Sequence, residues 1–99
     1  MSVIILSFTK NPSYYAMLKE CIESIGNYEI VVVETNNKLK GKDMMLPAKF
    51  IFPEEEFNYN KFLNYGFQNL VSKEKVIISN NDVIYEQGCI DALFESLDT

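Results

Sequence analysis

Residues 75–97 read KVIISNNDVIYEQGCIDALFESL. An unbroken apolar run passes through the polar turn Asn80, Asn81, Asp82 into a second pattern. There Ile90, Leu93, Phe94 and Leu97 recur at i, i+3, i+4 and i+7. The first half reads as a strand covered on both faces, and the second as an amphipathic helix starting near Glu86. Working outward from this unit, three further apolar runs stand at residues 3–8 (VIILSF), 29–34 (EIVVVE) and 49–53 (KFIFP). The first two are also continuous rather than alternating, which is the pattern of a parallel sheet.

Helical signals fill the intervals. Asn11 followed by Pro12 is an N-cap with proline at the first helical position; Leu18, Ile22 and Ile25 then share a face, and Gly26–Asn27 supplies the stop. A second helix is expected after Asn58, with Phe62 or Leu63, Phe67 and Leu70 inward. The order strand, helix, strand, loop, strand, helix, strand, helix predicts an α/β fold of one domain over residues 1–99. Its sheet is parallel, with helices on both faces in a three-layer arrangement. Residues 35–48 form the one long irregular segment, of the kind that is either functional or disordered.

The 99 residues carry 9 basic and 14 acidic side chains, a net charge of −5. That balance argues against nucleic acid as a partner and leaves no polybasic patch for an anionic membrane. Every basic residue is lysine; with no arginine and no histidine, Ser–His and Cys–His catalysis and guanidinium clamps are excluded. Two cysteines far apart, Cys21 and Cys89, read as small core residues of a protein in a reducing compartment. The apolar N-terminus has no basic residue ahead of it and no stretch is long enough to span a bilayer, so a cytoplasmic location is expected.

Ligands of open parallel sheets sit beyond the carboxyl ends of the strands. Past the first strand stand Phe8, Thr9, Lys10 and Asn11; Glu34 closes the second, followed by Asn36 and Asn37; past the fourth come Asn80, Asn81 and Asp82. Carboxylates with neighbouring amides at strand ends suit a hydrated divalent cation or a ribose.

Residues 75–97 resemble the segment of family 2 glycosyltransferases in which a strand ends in an acidic motif of the N-N-D type before a helix. Three further anchors are similar in order: VIILSFTKNPSYYAMLKECIESI to the opening strand and helix, YEIVVVETNN to the second strand, and FNYNKFLNYGFQNL to the helix carrying an N-x-G pair. The resemblance covers essentially the whole chain and implies the nucleotide-sugar-binding half of a GT-A fold, with right-handed crossovers and the sheet order third, second, first, fourth. Phe8 then matches a tyrosine lying against the base, and Thr9 stands where asparagine is usual. Glu34 matches an aspartate near the base or ribose, and Asn64 and Gly66 match the N-x-G pair. Asn80, Asn81 and Asp82 match the acidic motif, with Asp82 as ligand to the Mg²⁺ or Mn²⁺ that bridges the diphosphate. In that family a second half binds the acceptor and supplies the base. Here the sequence ends one helix after the motif, and Asp91, Glu95 and Asp98 on that helix are not assigned as base. The expectation is a donor-binding domain whose acceptor half comes from a homo-oligomer or a partner chain.

Each assignment has a structural alternative. Asp82 can cap a turn, Glu34 can be an exposed strand end, Phe8 can be core, and Gly66 can allow close backbone packing. Lys38, Lys40 and Lys42 read as a solvated mobile loop, with a reach to the diphosphate as the alternative, and Glu54, Glu55 and Glu56 as solvent-facing. No chemistry is assigned to Tyr14, Tyr15, Tyr59 or Tyr65. The alternative function is a non-catalytic binding or assembly module derived from the same fold.

Overall fold

A computed structural model of the chain describes residues 1–97; Asp98 lies outside them. The β-branched runs form β1 (Ser2–Ser7), β2 (Glu29–Glu34), β3 (Lys49–Ile51) and β4 (Val76–Asn80). The helices are α1 (Pro12–Ile25), α2 (Tyr59–Gln68) and α3 (Cys89–Ser96). All strand pairs are parallel and the order is β3-β2-β1-β4, as expected. In this register Ser7 lies opposite Glu34, and Leu6 opposite Asn80. The ends of the three longest strands therefore share one rim, with β1 in the middle.

The Asn11 cap forms as expected, and Asn58, after which the second helix is expected, caps it. Asn11 accepts from Tyr14 N at 3.2 Å and Asn58 from Lys61 N at 3.0 Å. Gly26 ends α1 at φ 90°, a conformation that a side chain would strain.

Two apolar clusters sandwich the sheet. Val3, Ile5, Ile30 and Val32 pack against Leu18, Cys21 and Ile22 of α1 and against Ile90 and Phe94 of α3. Ile4, Val31 and Val33 face the other way, onto Phe62 of α2 and Leu70. Each such buried side chain contributes about 1.5–3 kcal/mol relative to exposure. Burial pushes the Cys21 thiol above its usual pKa, as befits a core residue; Cys89 is only half-buried.

Gly66 has a packing role. A Cβ there would stand 2.8 Å from Ile4 Cγ2 and 3.1 Å from Val33 Cγ2, so glycine lets α2 lie close on β1 and β2. Its neighbour Phe67 points outward beneath the Lys73 ammonium, 5.2 Å from the ring centre, and is not part of the inner face. In α3 the expected stripe also narrows. The helix begins at Cys89, only two turns long, and buries the i, i+4 pair Ile90 and Phe94 while Leu93 and Leu97 stay exposed. Leu97 stands at the C-cap, past the last helical residue.

Candidate functional site at the carboxyl rim

Glu34, the last residue of β2, has 0% of its surface exposed. It is not a solvated strand end. Its Oε1 accepts from Thr9 Oγ1 at 2.5 Å, and its Oε2 accepts from Thr9 N at 2.8 Å and Asn36 N at 3.0 Å. Asn36 Nδ2 donates in return to Thr9 O at 2.7 Å, and Thr35 donates through both N and Oγ1 to Ser7 O. One carboxylate thus welds the turn after β1 to the turn after β2. A buried charge needs such donors, and each charge-assisted bond is worth about 1.5–3 kcal/mol.

The network continues toward β4. Ser7 Oγ lies 3.3 Å from Thr9 Oγ1, and Asn81 Nδ2 donates to Ser7 Oγ at 3.4 Å. Three of the expected site residues, Thr9, Glu34 and Asn81, therefore belong to one hydrogen-bonded chain across the rim. Phe8, on the central strand's exit, is 51% exposed and so is not core. Asn80 is exposed, and its carbonyl accepts from Cys21 Sγ at 3.5 Å and Ser79 Oγ at 2.9 Å. Asp82 stands exposed beyond it, with no hydrogen bond or ion pair to any described residue.

Asn64 is not brought to this assembly. It is exposed on α2, two residues before the sheet-facing Gly66 and hence on the outer side of the helix. Asp91 is also remote: Tyr28 OH donates to it beside the first residue of β2, at the opposite end of the sheet. A second cavity, about 420 Å³ and lined by Gly26, Tyr28, Gly88 and Asp91, lies at that end and contains no expected site residue.

The larger cavity, about 520 Å³, opens between the start of α1 and residues 36–45. That volume is within the usual range for small-molecule sites, about 300–1,000 Å³. Thr9 and Asn36, the residues that Glu34 holds, form one wall. Tyr15, Leu39 and Met44 supply apolar surface, and Lys10, Lys38 and Lys42 are exposed lysines along its lining. The long loop is not loose here. Asn37–Leu39 form a 3-10 turn capped by the Asn36 side chain, and Tyr15 OH donates to Met44 O at 2.6 Å. Lys40 leaves the group to pair with Glu54, while Lys61 pairs with Glu55. All three glutamates at 54–56 are solvent-facing, as expected. The sequence assigned no part to Tyr15, and for Lys38 and Lys42 it favoured a solvated loop over a reach to a ligand. The only sequence signal for them was the concentration of lysine in one loop of an acidic chain.

For a divalent cation the donor set is thin. Among the described residues no group of three or more histidine, cysteine or acidic side chains could hold a metal, and both Glu34 oxygens are engaged. Asp82 with its amide neighbours fits a cation that arrives coordinated to phosphate, since Mg²⁺ often takes one or two carboxylates and fills its shell from water and phosphate. It does not fit a resident ion. No helix among the described residues is long and apolar enough to cross a membrane.

Compared with known proteins, the chain is matched by no family model, and no match is found among curated proteins or solved structures.

Proposed function

We propose that the carboxyl rim binds a nucleoside-diphosphate sugar, in the manner of a glycosyltransferase donor domain. The observation that carries this reading is the convergence of Phe8, Thr9, Glu34, Asn81 and Asp82 on one rim. The exposed Phe8 follows the central strand, flanked in sheet order by Glu34 at the end of β2 and by Asp82 two residues past the end of β4. Glu34 acts from beneath, fixing the backbone of Thr9 and Asn36 where a ligand would meet it. Asp82 holds Mg²⁺ or Mn²⁺ delivered with the diphosphate. Such a cation supplies Lewis-acid neutralisation of the charge that develops on the leaving nucleotide. Asn80 and Asn81 flank it with amides.

Donor binding is expected to exceed transfer. Holding an acceptor in line with the anomeric carbon can supply about 7–11 kcal/mol, and a general base a factor of about 10²–10⁴. This reading assigns neither role to any described residue. The test is calorimetric titration of a panel of nucleoside diphosphates and their sugars, with and without Mn²⁺. Saturable binding of one base is the expected result, and absence of binding by every member sinks the proposal.

A second reading, an assembly module, is favoured by β4. It is an edge strand of the sheet, and Ile78, facing the α2 side opposite Ile4, is 52% exposed because α2 covers β1 and β2. An open edge with an exposed apolar residue is a template for strand pairing. If this reading is right, the unmodified protein is larger than a monomer by light scattering and Ile78→Lys returns it to the monomer mass. A monomeric parent protein rules it out.

A further inference from the structure

We infer that the 520 Å³ cavity at the start of α1 is a metal-independent phosphate site. Lys10, Lys38 and Lys42 carry the charge, and Tyr15, Leu39 and Met44 form an apolar wall for the body of the ligand. This rests on the nucleotide reading above and deepens it: lysine ammoniums, rather than the cation at Asp82 alone, neutralise the phosphates.

Four observations support the inference. First, in a chain of net charge −5, three of nine lysines line one cavity, and none of the three is ion-paired with a described residue. Their neighbour Lys40, excluded from the lining, is paired with Glu54. The one acid in the lining, Asp43, is turned to the backbone, its Oδ1 accepting from Met45 N at 2.9 Å. The lining therefore carries three positive charges against one negative.

Second, burial sorts the lining. Met44 is buried and Tyr15 and Leu39 are half-buried, whereas the lysines are exposed. Apart from the exposed Pro12 and Met45, the arrangement is apolar inside and cationic outside, which matches a phosphorylated compound with a ring rather than inorganic phosphate alone. Third, Met45 lines the cavity with φ 57° and 82% of its surface exposed. A non-glycine residue in the left-handed region is uncommon, and such strain gathers at ligand-binding segments. Fourth, Thr9 and Asn36 join this cavity to the Glu34 assembly, so a ligand reaching in from the rim meets ordered backbone. The N-terminus of α1 is not invoked, because Asn11 already caps it.

The experiment is calorimetry in EDTA with inorganic pyrophosphate, a panel of nucleoside diphosphates and the parent nucleosides, at low and high salt. A nucleoside diphosphate is expected to bind without metal, at least tenfold tighter than its nucleoside, and to weaken as salt rises. Lys38→Ala with Lys42→Ala should cost a further tenfold or more. Both side chains are exposed and unpaired, so the melting temperature should hold. Lys19→Ala with Lys49→Ala, removing the same charge away from the cavity, should leave the affinity within twofold. Nucleotide binding that requires Mn²⁺ and ignores Lys38 and Lys42 overturns this inference while leaving the nucleotide reading intact. Lysine-dependent binding of pyrophosphate that no nucleoside diphosphate surpasses keeps the phosphate site and sinks the nucleotide reading. No binding of any probe in EDTA overturns the inference.

Discussion

The two ends of β2 carry the same residue and use it differently. At the amino end Glu29 accepts from Ser2 Oγ at 2.7 Å, Val71 N at 2.6 Å and Ser72 N at 2.9 Å. At the carboxyl end Glu34 accepts from Thr9 twice and from Asn36. Each carboxylate stitches distant segments together. Glu29 is half-buried and closes the lower rim, where the segment before β4 returns to the sheet. Glu34 is wholly buried and shapes the wall of a cavity. The difference teaches that a glutamate at a strand end is not by itself a ligand for anything. Its role is set by the segments to which its donors belong. At the upper rim they belong to two loops that diverge and leave space; at the lower rim the segments close together.

The largest effect should come from Glu34→Ala. It strands the buried Thr9 and Asn36 donors and should cost about 3 kcal/mol in a urea titration, with loss of ligand binding at the rim. Glu34→Gln should recover most of this. Its carbonyl oxygen can take the Oε2 place, and its amide can donate to a rotated Thr9 hydroxyl. If the alanine variant is as stable as the parent, the upper weld is not what holds the two loops.

Glu29→Ala should cost less, about 1–2 kcal/mol, because its site is partly solvated. It also has a pH signature. Partial desolvation pushes the Glu29 carboxyl up. The backbone donors Val71 and Ser72, the Ser2 hydroxyl and the N-terminal ammonium outweigh that push and hold it below the usual glutamate value. With the folded value lowered, the contribution is complete above the usual glutamate range and disappears as pH falls through the folded value. Melts of the parent and Glu29→Gln should therefore differ at pH 7 and converge toward pH 3. A constant difference across that range would show that the ionised Glu29 carboxyl is not what stabilises the lower rim.

Asp82→Ala should have the smallest effect on stability, within about 0.5 kcal/mol, as an exposed and unpartnered side chain. The same variant should abolish any Mn²⁺-dependent gain in nucleotide affinity. Persistence of that gain would remove Asp82 from the proposed cation site.

The sequence was read correctly where the signal was local. Strands β1 and β2, the cap at Asn11, the helix start after Asn58 and the stop at Gly26 are each written in a few adjacent residues. The reading failed where exposure depends on what lies above a helix. Phe67, Leu93 and Leu97 fit the periodic pattern as well as Phe62 or Phe94 do, and only the narrow contact of a short helix with the sheet separates them. For the candidate site, position on the rim was legible in Phe8, Thr9, Glu34, Asn81 and Asp82, because parallel strands must all end on the same side. Their partners were not legible.

The amino-acid sequence by itself determined the parallel sheet and the rim on which polar residues gather. Those features come from hydrophobic runs and chain direction. Only the tertiary structure decided that Glu34 is a buried weld rather than an open ligand, that Lys38 and Lys42 line a cavity while Lys40 does not, and that Gly66 is needed for packing. The physical reason is that a side chain's burial and charge partners are set by residues remote in sequence. Glu34 meets Thr9 across 25 positions, and the Gly66 backbone meets Ile4 across the α2–sheet interface. No local pattern encodes such distances.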